Sequence, residues 1–135
     1  MNKYKKPLPE IQPWSKEFWK GTKEKKLLIQ ECKDCGSKIF YPRKYCPECW
    51  SSQLLWNEAS GKAKIFSYSI TYTGVEEPFY DDLPLVLALV DLEEGVRMMT
   101  NIVNCRPEEV NIGMDVEVTF RDVTKEFSLP YFQPL

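Results

Sequence analysis

The chain has 135 residues, 43% of them hydrophobic, and a formal net charge of -2, which suits one globular domain or two small modules. Its longest apolar run, residues 85–90, is too short to span a bilayer and no secretory signal is visible, so we expect a cytoplasmic protein without membrane contact. Histidine is absent, which excludes Ser-His and Cys-His nucleophile pairs and imidazole acid–base catalysis.

The charge changes sign along the chain. Residues 1–31 carry eight lysines against four glutamates, and residues 32–56 carry four basic groups against two acidic ones. Residues 57–135 carry six basic and fourteen acidic groups, a balance of -8. A basic first part and an acidic second part indicate two modules with different surfaces. We therefore predict a boundary between residues 1–56 and residues 57–135.

The N-terminal elements come first in the chain. Prolines among the first 13 residues predict an extended segment rather than a helix. Ser15 is a plausible N-cap for a short helix from Lys16 to about Lys25, which Gly21 is expected to weaken or split. Three large aromatic side chains should cluster on one side of this helix: Trp14, Phe18 and Trp19.

Four cysteines then follow with the spacing C-x2-C-x10-C-x2-C: Cys32, Cys35, Cys46 and Cys49. Each Cys-x-x-Cys pair places two sulfurs on a tight turn, and two such turns complete a tetrahedral zinc site. The short predicted strands "KLLIQEC" and "KIFYPR" match a zinc-ribbon hairpin. Four thiolates leave no open coordination position, so we expect structural zinc. The remaining thiol, Cys105, is expected to be a small buried hydrophobe.

The knuckles "CKDCG" and "CPECW" are also similar to those of rubredoxin, which holds iron and carries electrons. The gap of ten residues between the pairs is short for rubredoxin and ordinary for a structural ribbon. An electron carrier therefore stays open as an alternative, with iron in place of zinc.

The second module reads as a series of strands. A long strand over residues 62–73 is followed by the near-continuous apolar run "LVLALVDL", which predicts a strand buried on both faces. A hairpin turn at Gly95 leads to "VRMMTNIV", and a helical turn from Pro107 precedes the alternating strand "DVEVTFRDV". About five strands within residues 57–135 favour a five-stranded Greek-key barrel, the OB-fold. An SH3-like barrel stays open at this point.

Two groups of side chains are candidates for ligand binding. Four basic residues near the predicted module junction are suited to the phosphates of a small nucleotide-like ligand, although solvated surface charges are the plainer interpretation: Arg43, Lys44, Lys62 and Lys64. Alternate positions on the long strand share one face and include a possible base-stacking platform: Phe66, Tyr68, Ile70 and Tyr72. The charge of -8 on this module repels a phosphate backbone, so nucleic-acid binding is the disfavoured alternative.

The C-terminal tail "SLPYFQPL" is apolar, and Pro130 and Pro134 are expected to hold it open. It either packs back over the junction of the two modules or presents a docking surface. No group of residues in the chain forms a convincing catalytic constellation.

The order of these motifs closely resembles the zinc-ribbon/OB-fold family of acyl-CoA-associated proteins, long known as a domain of unknown function. The resemblance covers almost the whole chain through "FWKGTKEKKLLIQEC", the four-cysteine ribbon, "SGKAKIFSYSI", "LALVDLEEGVRMMTNIV", "IGMDVEV" and "LPYFQP". It carries the zinc-ligand role onto the four cysteines of the two pairs, and Pro42-Arg43 matches the Pro-Arg of the family. It implies a rubredoxin-like ribbon and an OB-fold.

Members of that family are non-catalytic partners of thiolase-superfamily enzymes. In archaea such a protein bridges acetoacetyl-CoA thiolase and hydroxymethylglutaryl-CoA synthase and helps to form a shared CoA site. Related domains accompany acyl-CoA hydratases and thiolase-like aldolases in steroid-degrading bacteria. The resemblance therefore implies that this chain is an accessory subunit rather than an enzyme, with acyl-CoA and a thiolase-superfamily enzyme as partners.

Overall fold

A computed structural model describes residues 5–135 of the chain. Within that range one α-helix, α1, spans Lys16–Lys23. Eight strands follow it in order: β1 Leu28–Cys32, β2 Lys38–Ile39, β3 Leu54–Glu58, β4 Lys62–Thr71, β5 Leu85–Leu92, β6 Arg97–Asn101, β7 Asp115–Asp122 and β8 Ser128–Pro134. Two short 3-10 helices lie in the connections, at Glu77–Asp82 and Pro107–Glu109.

Helix α1 begins where it was predicted but is shorter, because the chain turns away after Lys23. Ser15 occupies the N-cap position without capping the helix; its hydroxyl oxygen instead accepts a hydrogen bond from the Gln12 N–H at 3.0 Å. The predicted split at Gly21 is wrong, since the helix runs through this residue, and the predicted weakening stays a prediction. Gly21 is buried, and a Cβ there would lie 2.7 Å from Leu28 Cδ1. The glycine permits close packing of α1 on β1.

The strands form two antiparallel sheets. The ribbon sheet has the order β2-β1-β3, and the larger sheet has the order β6-β5-β4-β7-β8. The two edges of the larger sheet meet through a parallel bridge between Ile102 and Phe132, and the Val103 N–H donates to the Phe132 carbonyl at 2.8 Å. A five-stranded, nearly closed barrel with this strand order is the predicted OB-fold.

The prediction that alternate residues of β4 share one face is wrong, because a β-bulge interrupts the strand. The register with β5 shifts between Ile65 and Ser67, so the inward-facing positions change from odd to even numbers at that point. Ile65 is buried before the bulge, and Tyr68 packs against the core after it. Phe66 points outward and is 47% exposed. The four aromatic and aliphatic residues therefore do not share one continuous face, because the bulge inserts one residue into the alternation.

Strand β5 is buried on one face, not on both as its composition suggested. Val86, Ala88 and Val90 point into the barrel, whereas Leu87 is 37% exposed on the outer face. An antiparallel sheet needs only one covered face. The outward leucines of β5 are therefore available to line a surface.

The apolar C-terminal tail is the last strand of the barrel, β8. It pairs with β7 along its whole length, from Ser128 opposite Asp122 to Pro134 opposite Val116. Proline has no N–H to donate and is tolerated on a strand at the edge of a hydrogen-bonded sheet. Phe132 has no exposed surface, so the tail packs back onto the molecule, which is one of the two predicted arrangements.

One hydrophobic core joins the helix, the ribbon and the barrel. It contains Phe18 of α1 and Ile29 of β1 together with Val90, Val116 and Phe132 of the barrel. A second small cluster of buried residues in the ribbon consists of Cys32, Ile39 and Cys46. The domain boundary at residue 56 stays a prediction. Among residues 5–135 no helix has the length and apolar character needed to cross a membrane.

Candidate metal centre and ligand surfaces

The four paired cysteines converge on one point of the ribbon. Their sulfur atoms all lie within 4.8 Å of one another. Cys32 Sγ lies 3.5 Å from Cys49 Sγ, and Cys35 Sγ lies 3.6 Å from Cys46 Sγ. A tetrahedron with Zn–S bonds of about 2.3 Å has sulfur–sulfur edges of about 3.8 Å. The sulfur positions therefore fit a zinc ion at their centre.

Two tight turns of the same form present these sulfurs. In the first, the Gly36 N–H donates to the Cys32 carbonyl at 2.8 Å; in the second, the Trp50 N–H donates to the Cys46 carbonyl at 2.9 Å. Both turns end on a residue with positive φ, 77° at Gly36 and 64° at Trp50. The ribbon is thus built from two equivalent knuckles, as the repeated Cys-x-x-Cys spacing predicts.

Hydrogen-bond donors stabilise negative charge on the sulfurs. The Cys35 N–H lies 3.5 Å from Cys32 Sγ, and the Glu48 N–H lies 3.4 Å from Cys46 Sγ. The side chain and backbone of Ser37 hydrogen-bond to the thiol of Cys35 and lower its pKa to about 6. Because thiolate is the form that binds metal, this environment favours metal binding near neutral pH.

The pKa of the Cys49 thiol is shifted in the opposite direction to that of Cys35. The backbone of Ser51 favours its thiolate, but hydrogen bonds with the neighbouring thiols, Cys32 first among them, and burial raise its pKa to about 12. A bound zinc ion expels these protons, so the affinity for zinc falls as the pH falls. Four thiolates close the coordination sphere, and the ion serves as a structural cross-link between the two knuckles.

An apolar groove lies between the ribbon and the barrel. Its volume is about 540 Å³. Phe18 and Trp19 of α1, Tyr41 of the ribbon, and Leu87 and Met99 of the barrel are among its walls. The Met99 N–H donates to the Tyr41 hydroxyl at 3.0 Å across it. We call it the junction groove.

Sequence reasoning missed the junction groove because it placed the leucines of β5 in the core. One signal was present: in "LVLALVDL" the charged Asp91 lies on the same side of the strand as Leu87 and Leu89, which indicates that this side faces solvent. The tail was predicted either to pack over the junction or to present a docking surface, and Leu129 and Pro130 of β8 line the groove.

A second hollow, of about 440 Å³, lies on the ribbon beside the metal centre. Its walls include three aromatic and two basic side chains: Trp14, Tyr45, Trp50, Arg43 and Lys44. Gln30, which is buried, fixes the backbone of Arg43 by accepting from its N–H at 2.7 Å and donating to its carbonyl at 2.9 Å. We call this the ribbon hollow.

The four basic candidates are divided between two places. Arg43 and Lys44 line the ribbon hollow, whereas Lys62 and Lys64 line a separate hollow on the barrel together with acidic residues. Lys64 Nζ lies 2.6 Å from an oxygen of Asp115. A role of all four in binding one ligand stays a prediction, and the acidic surroundings of the second pair weaken its attraction for phosphate.

The exposed ring of Phe66 makes a cation–π contact with Arg97. The Arg97 guanidinium lies 3.5 Å from the ring centroid, and it donates to both oxygens of Asp91 at 2.6 and 3.2 Å. These hydrogen bonds lower the pKa of Asp91 below its ordinary value. Phe66 therefore stacks on an arginine of its own chain, which occupies the face predicted to receive a base.

A four-thiolate ribbon packed on a five-stranded barrel defines the class of zinc-ribbon/OB-fold proteins. Residues 19–54 match the family described as "ChsH2, rubredoxin-like zinc ribbon domain", and residues 56–121 match "ChsH2, C-terminal OB-fold domain". The chain belongs to this family, whose relatives also carry the name DUF35. The match agrees with the structural zinc predicted for the ribbon, and it confirms the OB-fold rather than an SH3-like barrel.

A relative in Methanocaldococcus jannaschii is named a DUF35 domain-containing scaffold protein. It is 38% identical over 110 residues, which are 80% of this chain and 77% of the relative. A solved structure described as Ltp2-ChsH2(DUF35) aldolase has a TM-score of 0.85 and 32% identity, covering 94% of this chain and 98% of the other. The chain is thus similar along most of its length to proteins named as scaffold or complex subunits.

Two further relatives are named as enzyme subunits. A probable enoyl-CoA hydratase alpha subunit of Thermomonospora curvata is 33% identical over 96% of this chain, which spans 40% of that relative. The benzoylsuccinyl-CoA thiolase subunit BbsA of Geobacter metallireducens is 30% identical over 53% of this chain and 46% of its own length. Both names refer to enzymes that process acyl-CoA thioesters.

Proposed function

We propose that the chain is a non-catalytic scaffold subunit that helps a thiolase or hydroxymethylglutaryl-CoA synthase-type enzyme complex to hold acyl-CoA. The observation that carries this proposal is the junction groove, an apolar surface where the ribbon and the barrel meet. The names of relatives support it, since they include scaffold proteins and subunits of acyl-CoA-processing enzymes. In this role the groove supplies one apolar wall of a shared site for the acyl thioester.

The chemistry of the chain supports a role without catalysis. Histidine is absent from the sequence, and zinc held by four thiolates offers no position for substrate or water. Cys105 is a weak nucleophile, because burial and the charge of Glu109 raise the pKa of its thiol. The proposed contribution is proximity: an intermediate held at a shared site has less opportunity to escape between active centres. Reduced, zinc-bound thiols suit the cytoplasm.

The first test is affinity purification of the tagged chain from its native cells, followed by mass spectrometry of the proteins that accompany it. We expect a thiolase-superfamily enzyme in near-stoichiometric amounts. The purified enzymes are then assayed with and without this chain. The scaffold role is refuted if the coupled reaction runs equally fast, with equal loss of the intermediate, when the chain is left out.

A pair of variants tests the part assigned to the junction groove. Met99→Lys places a charge on an exposed apolar wall of the groove, and we expect it to raise the KM of the assembled complex for acyl-CoA. Ile112→Lys makes the same kind of change at an exposed isoleucine outside the groove. An equal effect of both substitutions would contradict the assignment.

A further inference from the structure

Trp50 occupies a position whose backbone conformation favours glycine. It ends the second zinc knuckle with φ 64°, and the residue that ends the first knuckle in the same conformation, φ 77°, is Gly36. A bulky side chain is disfavoured in this left-handed region because its Cβ crowds the backbone, whereas glycine has no such cost. The tryptophan therefore imposes a conformational cost that the equivalent position avoids.

Packing does not compensate for that cost. The side chain of Trp50 is 77% exposed, the largest exposed fraction among the large hydrophobic residues of the described chain. An indole held out in water contributes little burial to the stability of the ribbon. A residue that costs stability and is displayed at the surface indicates a binding role.

The surroundings of Trp50 define the chemistry of the ligand. The ribbon hollow combines the aromatic rings of Trp14, Tyr45 and Trp50 with the cations Arg43 and Lys44, and among the described residues lining it none is acidic. Aromatic rings stack on bases, and arginine and lysine bind phosphate. Its volume of about 440 Å³ lies within the range of small-molecule sites.

We infer that the ribbon hollow is a nucleotide site, in which Trp50 stacks on the base and Arg43 and Lys44 bind the adjoining phosphate. Because the proposed function makes acyl-CoA the ligand of the complex, we assign the site to the phosphorylated adenosine end of CoA. This inference rests on the proposed function and deepens it. The nucleotide end of CoA then lies on the ribbon and its thioester end at the junction groove.

Calorimetric titration of the zinc-loaded full chain with three probes tests the site: CoA, adenosine 3′,5′-bisphosphate and pantetheine. We expect CoA and the bisphosphate to bind with comparable affinity that weakens as salt is added, and pantetheine to give no binding. Absence of bisphosphate binding overturns the inference.

Variants assign the binding to named side chains. Trp50→Gly is expected to weaken CoA binding between about fivefold and about 150-fold, the effect of removing one stacked ring, while the unfolding temperature does not fall. Arg43→Gln combined with Lys44→Gln is expected to remove the salt dependence. Tyr72→Ala is the control, since it deletes a ring that is 64% exposed outside the ribbon hollow. Equal affinity of the wild type and Trp50→Gly overturns the site.

Titration with a deoxyadenosine 12-mer distinguishes the two ligands that present a base next to a phosphate, CoA and single-stranded nucleic acid. Weaker binding than that of CoA supports the assignment, and tighter binding reassigns the hollow to single-stranded nucleic acid. The experiments can contradict the nucleotide site and the scaffold role independently of each other. A chain that captures an acyl-CoA enzyme and binds no bisphosphate overturns the nucleotide site, whereas bisphosphate binding without a captured enzyme supports the site and contradicts the scaffold role.

Discussion

The hydroxyl of Tyr41 on the zinc ribbon accepts a hydrogen bond from the backbone N–H of Met99 on the barrel edge strand β6, at 3.0 Å. The bond satisfies an edge N–H that β5 leaves unpaired, and an edge strand with free donors is a liability. It also connects the two modules across the mouth of the junction groove, of which both residues form part. The zinc-stabilised ribbon therefore helps to set the shape of the groove.

Tyr41→Phe removes this bond and leaves the ring in place. We expect the free energy of unfolding to fall by about 0.5–1.5 kcal/mol, the net worth of one hydrogen bond, with the zinc content unchanged. Urea denaturation followed by circular dichroism measures the difference. Tyr72→Phe is the matched control, and an equal loss in both variants would show that the Tyr41 hydroxyl has no special role.

Zinc removal should unfold the ribbon. The binding free energy of structural zinc is folding free energy, on the order of 10 kcal/mol at pH 7. Cys46 has no exposed surface, so replacing this ligand is the clearest test of whether the ribbon needs its metal. We expect Cys46→Ala to lose the metal and the cooperative melting of the ribbon.

Elemental analysis of purified protein measures the zinc content, and we expect one zinc per chain in the wild type and in Cys105→Ala. Protons compete with zinc for the thiolates, so a chelator should remove the metal faster as the pH falls. Retention of zinc by Cys46→Ala would contradict the four-thiolate site.

Gly21→Ala is expected to destabilise the protein, although alanine normally favours a helix over glycine. The new Cβ would lie 2.7 and 2.8 Å from Leu28 Cδ1 and Cγ, so the side chain of Leu28, α1 or β1 must shift. Overpacking of this kind costs about 1–3 kcal/mol. Thermal unfolding measures the change, and Lys20→Ala on the same helix is the control. A rise in stability would show that Leu28 can rotate away freely.

How far the sequence predicts the structure depends on whether the relevant signal is local. The cysteine spacing is local, and it leads directly to the metal centre. The OB-fold follows from strand patterns and turns, of which the predicted turn at Gly95 is an example, with φ 92° there. These features depend on neighbouring residues in the chain.

The errors concern features that depend on distant residues. The bulge between Ile65 and Ser67 reverses the faces of β4, and no residue in that stretch signals it. The prolines of β8 suggested an open tail, but they are tolerated because that strand lies at a sheet edge. Gly21 was expected to weaken or split the helix, and its closeness to Leu28 is visible only once α1 packs on β1. The positive φ that Trp50 shares with Gly36 could not be predicted, because tryptophan is not a residue type that favours this conformation.

The ion pair of Asp91 and Arg97 predicts a pH dependence of stability. The hydrogen bonds from Arg97 hold the folded-state pKa of Asp91 below its ordinary value of 3.8. A carboxyl with a lowered pKa stabilises the folded state above the unfolded value, and that stabilisation is lost as the pH falls through the folded value. We therefore expect Asp91→Asn to lower the stability at pH 6 and to have progressively less effect below pH 4.

Urea denaturation of the wild type and Asp91→Asn at a series of pH values between 6 and 2 measures the difference in the free energy of unfolding. Arg97→Gln is the control, because it removes the cause of the shift, and Asp91 in that variant should titrate near its ordinary value. The pair is solvent-exposed, so its effect should also weaken as salt is added. A difference between wild type and Asp91→Asn that stays constant from pH 6 to pH 2 would show that the carboxylate charge does not stabilise the fold.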